Sequence, residues 1–197
     1  LPDFFCTGRA LSGVGGQGML AIAMVLGRAC LDANLQVRQS EIHGMAQRGG
    51  AVHSHFRISN ETICSDVIPL GKADMIIAME PMEALRYYPF LNTEGRVIVN
   101  DEPVVNIPNY PELEAVHSEL KSSAKVFLFN GTQIASDAGV KKALNMAMLG
   151  AASAFLPIEA NVLEGAIAGQ FGDKKPGLAE KNINVFRAAR QTAQESS

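Results

Sequence analysis

The sequence contains no tryptophan and only three cysteines among its 197 residues. Cys6, Cys30 and Cys64 are far apart in the chain, and no C-x-x-C pair occurs. We therefore expect neither an iron–sulfur cluster nor a structural zinc held by this chain alone. The three cysteines are predicted to be buried free thiols in a reducing cytoplasm. A disulfide framework is not required, because a chain of this length buries roughly 70% of its unfolded surface.

Long apolar runs and basic clusters are also missing. Residues 19–26 form the longest apolar stretch, which is too short to span a membrane, and the opening residues show no secretory signal pattern. The net charge is −3 and no Lys/Arg stripe occurs. Because phosphate backbones are bound by concentrated positive charge, we expect no nucleic-acid partner. The sequence predicts a cytoplasmic protein that binds no membrane.

The residues that are present favour an α/β fold. Hydrophobic residues make up 47% of the chain, charged residues 19%, and glycine occurs 18 times. Strand, glycine loop, helix and strand follow one another at the start, which predicts a βαβ unit with a right-handed crossover. We predict one domain over residues 1–197, a three-layer Rossmann-like α/β/α sandwich with a mostly parallel sheet and a helical C-terminal segment. The predicted strands are 4–13, 35–39, 51–59, 74–79, 96–100 and 125–129, and helices are predicted over 19–32, 81–88 and from Asn130 onward.

Single residues add local predictions. Asn34 follows the first helix and tolerates the left-handed conformation there. Pro81 fits the first position of a helix, and Asn130 or Thr132 fits the cap of another. Gly150 lies in an Ala- and Met-rich helix, where it allows a neighbouring helix to approach closely.

Segment 51–59 alternates apolar and polar residues, which predicts a strand near a sheet edge or one that lines a cleft or interface. One face carries His53, His55 and Arg57, and His43 lies close enough in sequence to approach them. A metal site needs three or four convergent ligands, and no carboxylate has suitable spacing. We therefore expect no metal site.

The helix that begins at Pro81 has two interpretations. Its Tyr and Arg residues favour a docking surface, because both types are enriched at interfaces. The alternative is an ordinary amphipathic helix with a Glu83–Arg86 pair at spacing i,i+3. No Ser–His–Asp or Cys–His arrangement has a recognisable spacing, so we predict no nucleophile in this chain.

The string GVGGQG precedes the first helix. Gly13, Gly15 and Gly18 match G-x-G-x-x-G, the local form of a dinucleotide-binding fingerprint, and Gly16 and Gln17 make the string more specific than the fingerprint requires. A glycine turn that leads into a helix presents unpaired N–H groups and a partial charge of about +0.5. Residues 13–18 are therefore a candidate anion-binding loop, with a purely structural turn as the alternative.

One feature argues against a dinucleotide. The fingerprint expects an acidic residue about 20 residues further on, at the end of the second strand, to bind the ribose. Glu41 is roughly in range, but we expect it to lie past the end of the strand over 35–39.

The next segment, SEIHGMAQRGG (residues 40–50), is predicted to be a polar loop. In doubly wound sheets, ligands gather at the carboxyl ends of strands beside the first βα loop, so this segment and the glycine loop are expected at one edge of the sheet. Arg48 can donate two hydrogen bonds to a carboxylate or phosphate; a loop braced by a Glu–Arg pair is the alternative. The candidate site residues in this loop are Glu41, His43, Gln47, Arg48, Gly49 and Gly50.

Together, GVGGQG and SEIHGMAQRGG resemble the gamma-type subunit or domain of the pyruvate/2-oxoacid:ferredoxin oxidoreductases, and most of all the beta subunit of the indolepyruvate:ferredoxin oxidoreductases. The similarity continues through IPLGKADMIIAMEPMEALRYYPFL and weakly through FGDKKPGLAEKNINVFRAAR, so it covers nearly the whole chain. The opening FFCTGRALSG differs, because it lacks the clean apolar strand that family members have before the glycine loop.

The resemblance implies a subunit of a complex that oxidatively decarboxylates a 2-oxoacid with coenzyme A, giving an acyl-CoA, carbon dioxide and reduced ferredoxin. It implies that thiamine diphosphate, Mg²⁺ and [4Fe–4S] clusters belong to a partner alpha subunit, and that ferredoxin is reached only indirectly. Residues 13–18 then become a candidate CoA loop, and the residues of loop 40–50 a candidate active-site or interface loop. The isolated chain could form a homodimer through the surface intended for its partner.

Two other functions remain open at this point. One is a self-sufficient Rossmann oxidoreductase that binds NAD(P) or FAD. The other is a non-catalytic module that binds CoA or phosphate. Direct titration with NAD, NADP and CoA distinguishes them.

Overall fold

The computed structural model describes residues 6–44, 49–122, 125–172 and 176–196. Its strands are β1 (Cys6–Val14), β2 (Gln36–His43), β3 (Ala51–Ser59), β4 (Ala73–Ala78), β5 (Leu91–Asn100) and β6 (Val126–Phe129). Its α-helices are α1 (Met19–Asp32), α2 (Pro81–Tyr87), α3 (Leu113–Lys121), α4 (Gly131–Asp137), α5 (Leu144–Ser153), α6 (Ala160–Phe171) and α7 (Leu178–Glu195). A short 3₁₀ turn covers Tyr88–Phe90.

The six strands form one mixed sheet in the order β2-β3-β1-β4-β5-β6. β3 runs antiparallel to both of its neighbours, β1 and β2, whereas β1, β4, β5 and β6 pair in parallel. Five of the six strands therefore share one direction, and the prediction of a mostly parallel sheet is confirmed. β1, α1 and β2 form a parallel unit, but β3 is inserted between its two strands.

Two hydrophobic cores cover the two faces of the sheet. In β4, Ile77 packs into the core formed with α1, α5, α6 and α7, whereas its neighbour Ile76 packs into the core formed with α2 and α3. Successive strand residues point to opposite faces, so one strand serves both cores. This arrangement confirms the three-layer α/β/α sandwich and the helical C-terminal segment.

Several local predictions are confirmed. Asn34 adopts the left-handed conformation, with φ 55°. Pro81 is the first residue of α2, and the Glu80 carboxylate caps that helix by accepting a bond from the Glu83 amide at 2.5 Å. Asn130 caps α4, because its Oδ1 accepts a bond from the Gln133 amide at 2.6 Å.

Close packing of α5 against α7 depends on Gly150, as predicted. A Cβ at this position would lie 3.0 Å from the Cα of Phe186, and closer still to the Phe186 carbonyl group. Since these are backbone atoms, no change of rotamer can make room. Gly150 therefore fixes the distance between the two helices.

Three elements differ from the predictions. β5 begins at Leu91, five residues before the strand predicted over 96–100. β2 continues to His43, so the predicted loop over 40–50 is wrong for its first four residues. α3 was not predicted, although Val116 and Leu120 are buried at spacing i,i+4 on an otherwise polar helix. It follows a loop rich in proline, and the short apolar stripe is a weak signal after such a loop.

The cysteines differ in burial. Cys30 is buried in α1, and burial raises the pKa of its thiol to about 12. Cys6 and Cys64 are free but exposed, so the prediction of three buried thiols is wrong for these two. Cys6 begins β1 at the amino-terminal edge of the sheet, and Cys64 lies in the loop between β3 and β4. In the described ranges, no helix combines the length and apolar character needed to cross a membrane.

Candidate functional site

A cleft of about 410 Å³ lies where β1 ends and α1 begins. Residues 14–20 form one side of it, including the backbone of the glycine loop, and Glu41, His43 and Val52 form the other. The structure therefore brings the glycine loop together with two of the polar residues predicted for segment 40–50. The cleft lies at the carboxyl end of the parallel strands, where ligands of doubly wound sheets bind.

The glycine loop needs glycine for its conformation. Gly16 has φ 105° and Gly18 has φ 84°, both in the left-handed region that disfavours side chains. The Gly15 amide donates to the Gly50 carbonyl at 2.9 Å, and the Gly49 amide donates to the Gly15 carbonyl at 3.4 Å. The end of segment 40–50 is thus bonded directly to the glycine loop.

Gln17 holds this loop in place. Its Oε1 accepts a bond from the Val14 amide at 2.7 Å, and its Nε2 donates to the Met79 carbonyl at 3.2 Å. A Cβ at Gly13 would lie 2.8 Å from Gln17 Oε1 and 2.9 Å from Met79 Cβ, so glycine is needed there for space. The side chain of Gln17 therefore connects the end of β1 to the residue that follows β4. The Gly15 amide is bonded to Gly50 and the Gln17 amide donates to the Val14 carbonyl at 3.2 Å, so the donors that remain for a ligand are those at the start of α1.

We expect Gln17→Ala to lower the free energy of unfolding by about 2 kcal/mol, because it leaves the Val14 amide and the Met79 carbonyl without partners. Gln17→Glu keeps the acceptor for the Val14 amide but sets a carboxylate oxygen against the Met79 carbonyl, so its loss is expected to be at least as large. Gln133→Ala, which removes an exposed glutamine from α4, serves as the control with a change below about 0.5 kcal/mol. Urea denaturation measures all three, and a loss in Gln17→Ala no larger than that of the control would contradict the double role.

Two further residues support the loop, and sequence reasoning missed both. Asn145 of α5 is 9% exposed and donates through Nδ2 to the Gly18 carbonyl at 3.4 Å. Asn106 donates through Nδ2 to the Gly49 carbonyl at 2.7 Å. The only signal for Asn145 is an amide within an apolar helix, whereas Asn106 lies in a polar loop and has no distinguishing signal.

The cleft carries charge of both signs, because the Glu41 carboxylate lines it together with the N-terminus of α1. The first turn of α1 contains no acidic side chain, so the partial positive charge of its N-terminus is not offset within the helix. The first N–H groups of an α-helix have no partner inside the helix. The glycine loop therefore offers amide donors to an anion such as a phosphate.

Glu41 lies inside β2 and not beyond its end, which corrects the prediction. It pairs with Ser54 across the sheet, and His43 pairs with Val52, so both side chains point to the face that carries α1. The polar sequence of β2 resembles a loop because β2 is the outermost strand of the sheet. Gln47 and Arg48 lie outside the described residues.

The histidines do not converge. His43 is on the face of the sheet that carries α1, whereas His53 and His55 are on the opposite face. His55 is 2% exposed, its Nδ1 accepts a bond from the Ile68 amide at 3.4 Å, and burial lowers its pKa. Across the described ranges, no three His, Cys, Asp or Glu side chains are grouped so that they could hold a metal ion.

The carboxylates of α2 are more buried than an amphipathic surface helix implies. Glu80 and Glu83 are 1% and 3% exposed. The Tyr110 hydroxyl donates to Glu80 Oε2 at 2.7 Å, and Arg86 Nε donates to Glu83 Oε1 at 3.1 Å, which confirms the predicted i,i+3 pair. Burial raises the pKa of Glu83, with a smaller contribution from Glu80 and an opposing one from Arg86.

The raised pKa of Glu83 makes the stability of the folded chain depend on pH. The folded chain holds the Glu83 proton to a higher pH than the unfolded chain, so its contribution to stability is present below about pH 4.5 and is lost as pH rises through the folded pKa. We expect Glu83→Gln to remove this loss, so the variant gains stability relative to the parent as the pH rises above about 4.5. Burial lowers the pKa of His53 and of His55, which gives a contribution of the opposite sign, and subtracting the two profiles cancels it. Parallel thermal-unfolding profiles would contradict the assignment.

Comparison with known proteins decides the family. A family model described as pyruvate ferredoxin/flavodoxin oxidoreductase matches residues 10–192. The chain belongs to this family. Indolepyruvate oxidoreductase subunit IorB of Methanothermobacter thermautotrophicus is 38% identical in an alignment 193 residues long that covers 93% of this chain and 96% of that protein. 2-Oxoglutarate synthase subunit KorC of Methanothermobacter marburgensis is 30% identical in an alignment 188 residues long that covers 94% of this chain and 95% of that protein.

Solved structures of the pyruvate ferredoxin/flavodoxin oxidoreductase family share the fold. The gamma subunit of keto/oxoacid ferredoxin oxidoreductase from Geobacter sulfurreducens PCA superposes with a TM-score of 0.74 at 21% identity, covering 97% of this chain and 98% of that one. The 2-oxoglutarate:ferredoxin oxidoreductase from Magnetococcus marinus gives a TM-score of 0.76 at 19% identity, covering 96% of this chain but 31% of the other. These structures confirm the fold, whereas the family model and the IorB relative confirm the family resemblance inferred from the sequence: the chain is an oxidoreductase subunit of this family.

Proposed function

We propose that this chain is the thiamine-free, cluster-free subunit of a 2-oxoacid:ferredoxin oxidoreductase and that its cleft receives the phosphate groups of coenzyme A. The observation that carries the proposal is the glycine loop, which lines one cleft at the carboxyl end of the sheet together with the N-terminus of α1. In this proposal, residues 1–197 form one gamma-type domain. The Magnetococcus marinus enzyme, about a third of which shares this fold, was solved with 2-oxoglutarate, coenzyme A and succinyl-CoA bound, which is compatible with this use.

The reaction then needs a second subunit. Thiamine diphosphate on that partner supplies the carbanion chemistry that releases carbon dioxide from the 2-oxoacid, and clusters there pass the electrons to ferredoxin. The described part of this chain offers no grouped metal ligands, so no step is assigned to a metal here. Its own residues hold the phosphates of coenzyme A, direct the thiol toward the partner and shield the approach from water.

Reconstitution tests this proposal. The chain and its thiamine-binding subunit are co-expressed, and acyl-CoA formation is measured with ferredoxin as acceptor. We expect activity from the complex and none from either subunit alone. Full activity of the thiamine-binding subunit without this chain would overturn the proposal.

Arg48 is the residue we propose for orienting a carboxylate or phosphate beside the cleft. It lies outside the described residues, between His43 of β2 and Gly49, and both of these neighbours are at the cleft or bonded to its loop. Arg48→Lys keeps the charge but loses the paired donors, so we expect it to restore only part of the activity lost in Arg48→Ala. Unchanged acyl-CoA formation and unchanged subunit association in Arg48→Ala would count against this role.

The position of Glu41 favours a second candidate function. In dinucleotide enzymes, an acidic residue at the end of the second strand binds the ribose hydroxyls, and Glu41 lies in β2 beside the glycine loop. Titrating the isolated chain with NAD, NADP and CoA separates the two candidates. Binding of NAD that is lost in Glu41→Ala would support the dinucleotide function, whereas binding of CoA alone supports the oxidoreductase subunit.

We propose indolepyruvate as the 2-oxoacid, because the IorB relative is 38% identical over 93% of this chain. The KorC relative, whose name concerns 2-oxoglutarate, is 30% identical over a similar length. Activity of the reconstituted complex with indolepyruvate, pyruvate and 2-oxoglutarate decides between them. A preference for 2-oxoglutarate would reject the proposed substrate and leave the subunit role intact.

A further inference from the structure

Helix α1 carries an apolar stripe on its exposed side. Leu20, Met24 and Leu31 are 57%, 55% and 62% exposed. With Gly27 they follow the spacing i, i+4, i+7, i+11, which places all four within an arc of about 60° on an α-helix. This is the spacing of helices that pack along another helix, so the exposed side of α1 has the pattern of a contact surface.

A groove of about 580 Å³ runs beside the stripe, between α1 and α6. Gly165 and Gly169 of α6 line it, and a Cβ at either position would meet no atom within 4 Å. The two sides of the groove are in contact where Gln170 Nε2 donates to Met24 Sδ at 3.8 Å. The lining combines apolar side chains and open glycine positions with the polar residues Arg28, Asp32, Gln39 and Gln170, a mixture suited to an amphipathic helix laid along the groove.

We propose that this groove is the docking site for an amphipathic helix of the thiamine-binding subunit of the same complex. The inference rests on the proposed function and adds the surface through which the two subunits meet. It also predicts the chemistry of the partner: a helix whose apolar side chains are spaced to contact Met24 and Leu31.

The continuity of the stripe with the cleft identifies the occupant. Leu20 belongs to the stripe and also lines the cleft at the glycine loop. A helix seated on the stripe is therefore immediately beside the site proposed for coenzyme A. The thiol held there must reach the thiamine of the other subunit, so that subunit has to adjoin the rim of the cleft.

A second copy of this chain fits the same groove less well. A second copy seated there would bring no thiamine diphosphate to the rim of the cleft, so it would not meet the requirement that the proposed function places on this surface. Polar residues also flank the stripe, with Arg28 and Asp32 paired at 3.0 Å on α1, and such a polar rim around an apolar centre is usual at subunit interfaces.

The test measures subunit affinity by sedimentation of the purified full chain with its thiamine-binding subunit. The variant is the double substitution Met24→Glu with Leu31→Glu, and Leu20 is kept because it lines the cleft. Leu70→Glu is the control, since Leu70 is 66% exposed but lies in the loop before β4. We expect a dissociation constant at least about tenfold higher for the double variant and an unchanged one for the control.

A second variant avoids added charge. Gly169→Leu fills the open side of the groove, and since it replaces glycine within a helix it is not expected to destabilise the chain. Docking is expected to weaken again by roughly tenfold. Thermal unfolding of each variant alone verifies that the chain is folded. If the double variant is unfolded, the affinity of Gly169→Leu alone tests the proposed docking site.

The outcomes separate this inference from the function on which it rests. If the unmodified chain does not bind the thiamine-binding subunit, the proposed function fails together with the inference. If it binds, and both groove variants bind equally well, the inference is overturned while the function stands. If the variants dissociate a homodimer and leave the complex of the two subunits unchanged, the groove is a contact between copies, and the inference is again overturned.

Discussion

Gly150→Ala is expected to lower the free energy of unfolding by about 3 kcal/mol, at the upper end of the usual cost of overpacking. The added Cβ would collide with the backbone of Phe186 in α7. Since no side chain can rotate away, α5 and α7 must separate, and the core that they share with α1 and α6 loses contacts. Urea denaturation monitored by circular dichroism measures the loss.

Gly165→Ala is the matched control for this prediction. Gly165 also lies within a helix, but the site of its Cβ is open. Alanine there is expected to raise the free energy of unfolding by about 0.5–1 kcal/mol, because it restricts the unfolded chain without strain in the folded one. If Gly150→Ala were as stable as Gly165→Ala, α5 and α7 would not be packed as closely as described.

Gly18→Val is expected to abolish acyl-CoA formation by the reconstituted complex, with at least about a hundredfold loss of rate, because misplacing a binding group by 1 Å is sufficient for such an effect. Gly18 has φ 84°, and a Cβ there would lie 2.9 Å from Nδ2 of Asn145. A β-branched residue at this φ forces the loop into another conformation. The amides that face the cleft then point elsewhere, and the affinity for coenzyme A is expected to fall with the rate.

Gly71→Val is the control that distinguishes the effect of backbone strain on stability from the effect of the glycine loop on activity. Gly71 has φ 69° and an open Cβ position, and it lies at the amino end of β4, away from the cleft. Both variants are expected to lose about 1–3 kcal/mol of stability through backbone strain. Only Gly18→Val is expected to lose acyl-CoA formation and CoA affinity; equal activity in both variants would exclude the glycine loop from the reaction.

The layers of this fold follow from local patterns in the sequence. α1 is apolar nearly all round, β3 alternates with period two, and Pro81 marks the start of α2, so each element could be predicted from a few neighbouring residues. The position of β3 between β1 and β2 could not be predicted in this way. Strand order depends on pairing between distant segments, and periodicity within one strand carries no information about its neighbours.

The candidate site, too, could be predicted only where its residues are neighbours in the sequence. The loop needs glycine at position 13 for space and at positions 16 and 18 for a positive φ, so it could be recognised from its own residues. Asn145 supports the same loop from 127 positions away, and no local pattern connects the two. The position of Glu41 was predicted wrongly because an exposed edge strand contains the same polar residue types as a loop.

The place of β1 in the sheet has a consequence for biosynthesis. β1 pairs with β3 on one side and with β4 on the other, and β4 begins only at Ala73. While the ribosome synthesises the chain from the N-terminus, β1 and α1 therefore emerge long before both flanking strands exist. The native burial of Leu11 and of the apolar side chains of α1 is therefore incomplete until β4 has been synthesised.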